Sequence, residues 1–252
     1  MRPAGRIALV VLAAFALPAA AATLFPEPLH LVRRIEDPIS RTISTIDQYC
    51  AGNRVVTVRG PIVSIADYAR GEITTIDRNA ATYSVISFSE VAKGQPALVA
   101  RVERVPLPRK SLGARLDRNG TVDVFEIVEE LGGGRVKSEV AIDRSVRLSR
   151  EAVEVLIGAA HPRQRTGHHD AILQSAASTS TAGVRSYGLP AQQITTYEVG
   201  GEKLSTQSEL VSVTREDAPP ELLVLPPGAI RVESSATALP RLADELDGIR
   251  RR

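Results

Sequence analysis

The feature that most constrains the fold of this chain is a succession of short runs rich in Val, Ile and Thr, separated by glycine and asparagine residues. β-Branched side chains favour a pleated, half-buried backbone, and residues that tolerate a positive φ let consecutive strands fold back as hairpins. Short connections without long crossover helices predict antiparallel neighbours. The predicted strands are Leu29–Glu36, Thr42–Tyr49, Arg54–Arg59, Ile62–Tyr68, Glu72–Asp77, Thr82–Ser87, Ala97–Val105, Thr121–Glu130, Arg135–Ile142, Gln192–Val199, Lys203–Thr214 and Ala229–Glu233.

Two helical segments interrupt the predicted strands. Ser87 and Glu90 have the spacing of a capping box, which favours a short helix at that point. A longer helix is predicted over Arg150–Ala160, with Ser149 as its N-cap. Apolar residues recur on one face of this helix, which indicates that it covers a face of the sheet. The residues of that face are Ala152, Val155, Leu156 and Ala159.

Two further stretches lack a strand pattern. Residues 163–188 include the small, polar run Gln174–Gly183, which predicts a mobile loop. Beyond residue 233, leucine and isoleucine recur at heptad-like spacing, which favours a short helical or loosely ordered tail over a partner-binding helix. The sequence therefore predicts an antiparallel-sheet domain over residues 23–233, preceded by a leader of residues 1–22 and followed by a tail of residues 234–252.

The leader has the features of an export signal. Arg2 and Arg6 precede an apolar run from Ile7 to Leu17, and Ala19–Ala22 supplies small side chains for a signal peptidase. The run is too short for a stable spanning helix, which needs about 20 residues. We expect cleavage after residue 22 and a periplasmic or secreted protein without a transmembrane anchor. An uncleaved anchor is the alternative.

Composition and charge disfavour several classes of protein. The leader contains two of the 31 basic residues and no acidic one, so 29 basic residues remain against 29 acidic ones. A body without net charge has no overall field that attracts nucleic acid. A single cysteine excludes an intramolecular disulfide framework.

Motifs of common enzymes are absent from the sequence. It contains no HExxH zinc motif, no GxSxG nucleophile elbow and no Walker A loop. Cys50 ends a predicted strand and has no histidine close in sequence to activate it, so a buried apolar role is expected. We therefore expect neither catalytic residues nor a cofactor, although a site assembled only in three dimensions would escape this search.

One cluster has metal-ligating side chains. His161, His168, His169 and Asp170 are residue types that zinc or copper accepts. Adjacent residues 168 and 169 point apart on a regular backbone, and the stretch lies in the predicted loop. A solvated loop is therefore favoured over a metal site, which needs rigid support.

Two parts of the chain resemble a known family. Asn53–Val56, Ile65–Asp77 and Thr82–Glu90 form the first part; Gly188–Pro190 and Pro226–Ile230 belong to the second. In this order they resemble a bacterial exported family of unknown function, which is similar to LolA- and LolB-type periplasmic lipoprotein carriers. The resemblance implies a mainly β fold, a strongly curved antiparallel sheet that forms an incomplete β-barrel with helices in its mouth, and it offers no catalytic residue.

Three functions stay open at this point. The first is a non-enzymatic carrier that binds a lipid-like ligand or a lipoprotein acyl chain on the concave face, with the Arg150–Ala160 helix as a lid. The second is an envelope interaction or scaffolding protein that docks a protein partner through a strand edge or its tail. The third is an enzyme.

Overall fold

The computed structural model describes residues 23–36, 42–94, 107–131, 134–158 and 166–233. The predicted leader, the predicted strand Ala97–Val105 and the predicted tail therefore lie outside the described residues. Within the described part, the elements are β1 (Phe25–Glu36), β2 (Ile43–Gly52), β3 (Arg54–Arg59), β4 (Ile62–Asp67), β5 (Glu72–Asp77), β6 (Thr82–Ser87), α1 (Phe88–Gly94), β7 (Arg109–Asp117), β8 (Gly120–Leu131), β9 (Gly134–Leu148), α2 (Arg150–Leu156), α3 (Gly167–Ala176), β10 (Ala177–Thr179), β11 (Arg185–Val199), β12 (Glu202–Thr214) and β13 (Ile230–Arg231).

These strands form one open, curved sheet, as the sequence predicts. Its order is β13-β6-β5-β4-β3-β2-β1-β12-β11-β9-β8-β7, with β10 paired to β11 outside this path. Neighbouring strands are antiparallel, except that β13 runs parallel to β6. The pairing of β1 with β12 joins the meander of β1–β6 to the strands that follow it.

Apolar side chains from both parts of the sheet meet in a first core cluster. Alternate residues of β1 contribute to it, as expected for a strand with one buried face, and Leu31 is fully buried. The buried members are Phe25, Leu29, Leu31, Cys50, Val55, Val122, Val124, Ala141, Ala152, Leu189, Ala191 and Leu210. This first core cluster draws on β1, β2, β3, β8, β9, β11, β12 and α2.

A second core cluster lies under α3. It joins that helix to β8, β9, β11 and α2. Its buried members are Ile127, Val140, Ile142, Val153, Ala171, Ile172, Leu173, Ala176 and Tyr187. Since α2 contributes Ala152 to the first cluster and Val153 to the second, this short helix packs between the two.

The prediction of a loop over residues 163–188 is wrong for the part of this stretch that the structure describes. Residues 167–176 form α3, and a β10–β11 hairpin follows. Thr166 caps the helix: its Oγ1 accepts from the His169 amide at 3.4 Å, and His169 Nδ1 accepts from the Thr166 amide at 3.1 Å. At the other end, the guanidinium of Arg144 donates to the carbonyls of Ser175, at 2.7 Å, and Ala176. Burial of its apolar face and these caps stabilise a helix of modest intrinsic propensity.

The helix predicted over Arg150–Ala160 is shorter than expected. It ends at Leu156, because Gly158 takes a positive φ of 76° and its amide donates to the Val155 carbonyl at 3.1 Å. Residues 159 and 160 lie outside the described residues. The predicted N-cap is confirmed, since Ser149 Oγ accepts from the Ala152 amide at 3.0 Å. The capping box is also confirmed, with the Ser87 amide 2.9 Å from Glu90 Oε2.

Candidate functional site

The predicted lid residues lie against the first core cluster where the structure describes them. Ala152 is fully buried, and Val155 and Leu156 are partly buried against the cluster. Ala159 lies outside the described residues. The fully buried Val153 was not among the predicted residues, although it follows Ala152 directly. The helix thus buries side chains on more than one face, whereas the sequence pattern predicted a single apolar face.

A large cleft opens beside the N-terminal end of α2, between β1, β9 and β12. Its volume is about 690 Å³, within the range typical of ligand sites. The apolar part of its lining is Phe25, Pro26, Leu29, Val146, Leu148 and Val213. We call this the β1–β9 cleft. Phe25 and Leu29 belong to the first core cluster, so the floor of the cleft is continuous with the interior.

An irregular stretch of β9 builds one wall of this cleft. The β11–β9 register jumps from Gly188↔Arg147 to Leu189↔Asp143, which leaves residues 144–146 unpaired with β11. Gly188 permits the close approach of the strands: a Cβ there would lie 2.5 Å from Ile142 Cγ2 and 2.8 Å from the carbonyl oxygen of Asp143. The bulge turns Val146 toward the cleft lining.

Charged side chains surround the apolar floor. Arg215 Nη1 lies 2.8 Å from Glu27 Oε2, and both side chains are exposed, so this ion pair adds little stability. Arg147 is exposed and forms no ion pair within the described part of the chain. Asp143 is buried, and its Oδ1 accepts from the Ser145 amide at 2.7 Å. An apolar floor with a charged rim suits an amphiphile better than a fully apolar molecule.

A second cleft, of about 520 Å³, lies near the loop between β2 and β3. Its lining combines Tyr49 and Leu223 with the Arg54–Asp67 ion pair, whose Nη2–Oδ2 distance is 3.1 Å, and with Asp217. None of its lining residues belongs to the first core cluster; Val56 belongs instead to a third cluster, with Val63 and Ile76, so the floor of this cleft is separate from the cluster on which α2 packs.

The predicted metal-ligating residues serve other roles where they are described. His168 lies on α3, and its Nε2 is 3.3 Å from Gln193 Nε2 on β11. His169 belongs to the N-terminal capping box of the same helix. Across the described residues, no group of three or more His, Cys, Asp and Glu side chains could hold a metal ion. His161 lies outside these residues, and Asp170 follows the two histidines in the first turn of α3.

Cys50 is a buried member of the first core cluster, as predicted. Burial raises the pKa of its thiol to about 12, so the thiol is neutral at physiological pH. A neutral, fully buried thiol is a poor nucleophile.

Within the described part of the chain, no helix has the length and apolarity that a membrane-spanning segment requires. No protein-family model matches the sequence, and no curated protein matches it either.

Two solved structures are similar to parts of this chain. A structure of PNGF-II is 10% identical, with a TM-score of 0.37 over 84% of this chain, and the chain spans only 31% of that protein. An outer membrane lipoprotein-sorting protein domain from Vibrio parahaemolyticus is 10% identical, with a TM-score of 0.28 over 75% of this chain and 84% of that domain. At these values neither likeness assigns a family or a function, and the resemblance to LolA-type carriers stays a prediction.

Proposed function

We propose that this chain is an exported, non-enzymatic protein that binds a lipid-like amphiphile, with the acyl chain on the floor of the β1–β9 cleft. The observation that carries this proposal is the continuity of that cleft with the first core cluster through Phe25 and Leu29. A ligand that enters the cleft passes charged side chains at the rim and then contacts apolar side chains on the floor.

The energetics favour a chain of several methylene groups. Each methylene transferred from water to an apolar surface contributes about 0.8 kcal/mol. Eight such groups would contribute about 6 kcal/mol before the entropy of association is subtracted. A cleft of about 690 Å³ is large enough for a ligand of this size.

The lid is part of the proposal. Leu148, which lines the cleft, lies two residues before the start of α2, and this helix packs on the first core cluster. If α2 moves outward, Ala152, Val155 and Leu156 leave the cluster and the apolar surface available to a ligand grows. The proposed ligand contacts thus include these three residues and Ala159, together with the lining of the cleft.

The test is purification of the exported protein without detergent, followed by solvent extraction and mass spectrometry of bound lipids. We expect an acyl-chain compound in near-stoichiometric amount. A Val146→Trp variant fills the cleft and should lose the compound. Val224→Trp is the matched control, because Val224 is 62% exposed and does not line the cleft. An empty wild-type protein that also fails to bind added amphiphiles contradicts the proposal.

A second candidate function is docking of an envelope protein. Several large apolar side chains are exposed around the two-residue edge strand β13, among them Val224, Ile230 and Val232. Exposed apolar residues beside an open edge are typical of an interaction surface. Crosslinking in the periplasm, with the wild-type chain and with an Ile230→Glu variant that places a charge on this surface, tests this candidate. A discrete partner captured by an otherwise ligand-free protein would favour docking over carriage.

A further inference from the structure

Arg33 lies in an apolar row of the first core cluster. On β1, residues 29, 31 and 33 share one face, and the ladder with β2 is regular over this stretch. Leu29 and Leu31 are buried members of the cluster, and Leu210, which is paired with Arg33 on β12, is another. A charged side chain therefore continues a row that is otherwise leucine.

The guanidinium of Arg33 has only neutral partners. Its Nε donates to Gln48 Oε1 at 3.2 Å, and its Nη2 donates to the backbone carbonyl of Pro190 at 3.1 Å. Among the described residues it makes no ion pair, whereas the arginines at 54, 115 and 144 each contact a carboxylate at 3.0–3.1 Å. The remaining N–H donors of Arg33 are thus not directed at an anion of the protein.

The side chain nevertheless keeps its charge. Burial lowers the pKa of Arg33 to about 10, which leaves it protonated at neutral pH. The thiolate of Cys50 would favour that charge, but burial holds the pKa of this thiol near 12, so the thiol stays neutral. A partly buried cation without a counter-ion is unfavourable, and groups perturbed in this way cluster at functional sites.

We propose that Arg33 binds the carboxylate of the amphiphile, and that the ligand is therefore an acidic lipid of the fatty-acid type. A planar carboxylate matches the fork of a guanidinium and supplies the missing negative charge. This inference rests on the proposed function, since it names the headgroup of the same ligand.

The position of Arg33 fits this role. Arg33 is partly exposed, so a small anion can reach it. Leu29, which lines the β1–β9 cleft, lies about 13 Å away along the strand. An acyl chain laid along this row would join the cleft to the guanidinium. Leu31 lies between the two and is fully buried, so the side chains that cover it must move when the ligand enters.

The experiment compares dodecanoate with dodecanol, which share a chain length and differ in charge. Wild-type protein should bind dodecanoate at least about tenfold more tightly than dodecanol. Arg33→Met should remove this preference and leave the affinity for dodecanol within about twofold. Arg34→Met is the matched control, because residue 34 points to the opposite face of β1, and it should keep the preference.

Thermal unfolding separates a binding role from a structural one. Replacement of this partly buried cation, which has no counter-ion, by an apolar side chain of similar length should leave the melting temperature unchanged or raise it. Arg33 would have only a structural role if Arg33→Met had a lower melting temperature and lost equal affinity for dodecanoate and dodecanol. Its hydrogen bonds would then serve only to hold neighbouring strands together. An unchanged preference in Arg33→Met also overturns the inference. If the wild-type protein binds neither compound, the proposed function itself fails, and this inference with it.

Discussion

The protonation of His168 should set part of the pH dependence of stability. Burial lowers the pKa of this imidazole to about 4 from its ordinary 6.5, with a smaller effect from the charge of His169. The hydrogen-bonding geometry agrees with a neutral ring. The amide nitrogen of Gln193 faces His168 Nε2 at 3.3 Å and also donates to Thr195 Oγ1 at 3.2 Å, and Thr195 in turn contacts Ser138 Oγ at 3.0 Å.

The direction and size of the effect follow from the two pKa values. Because the folded-state pKa lies below the unfolded one, the unfolded chain binds the proton more tightly, and stability is lost as the pH falls from about 6.5 toward 4. At about 1.4 kcal/mol per pKa unit, the loss between pH 7 and pH 5 is about 2 kcal/mol. In a domain of this size it corresponds to a decrease of about 4–8 °C in melting temperature.

The assay is urea unfolding at pH 7 and pH 5, with the wild-type protein and a His168→Gln variant. Glutamine keeps a polar group opposite Gln193 but does not titrate in this range. The difference in unfolding free energy between the two pH values should be about 2 kcal/mol smaller for the variant. Carboxylates titrate in both proteins. Their contribution therefore cancels when the pH-dependent change in unfolding free energy of the variant is subtracted from that of the wild-type protein. If the two differences agree within about 0.5 kcal/mol, His168 is not buried in its neutral form and the packing of α3 is misassigned.

Three further predictions test the packing. Gly188→Ala should destabilise the fold by about 1–3 kcal/mol in urea unfolding, because its Cβ would meet Ile142 and the backbone of Asp143; a neutral result would mean that the bulge relaxes freely. Leu31→Ala should lower the unfolding free energy by about 2–5 kcal/mol, whereas Ile43→Ala, at a position 56% exposed, should have an effect below about 1 kcal/mol. Leu156→Asp should lower the melting temperature or abolish ligand uptake, since it places a charge against the first core cluster; unchanged melting and uptake would show that Leu156 faces solvent.

The hairpin architecture was predictable because strand and turn signals agree locally. The runs Arg54–Arg59, Glu72–Asp77 and Thr82–Ser87 match β3, β5 and β6 residue for residue. Alternating β-branched residues and short turns fix such hairpins without reference to distant parts of the chain. The capping box at Ser87 was predictable for the same reason, because it involves only residues that are close in sequence.

The elements that the sequence did not predict depend on contacts far along the chain. Helix α3 has a histidine where a capping box usually carries Glu or Gln, and Arg144, more than 20 residues earlier, contacts its last carbonyls. The apolar run Ala171–Leu173, preceded by a threonine cap, was the available signal. Strand β7 is exposed along nearly its whole length, so its sequence lacks the alternation that marks a half-buried strand.

The candidate site was only partly accessible to sequence reasoning. The helix of the proposed lid was predictable from the helical spacing of its apolar residues. The β1–β9 cleft was not, because it depends on a register jump between β9 and β11 that no local pattern encodes. Arg33 was not singled out either, since an arginine in a strand sequence normally indicates a solvent-facing position.

The most direct test of the proposed carrier function is calorimetric titration of the chain from residue 23 onward with dodecanoate at two temperatures. Binding on an apolar floor predicts saturation at one ligand per chain, with a negative change in heat capacity. Loss of this signal in Val146→Trp, but not in Val224→Trp, would place the acyl chain in the β1–β9 cleft. Heats that never saturate, or binding that both variants retain equally, would contradict the account.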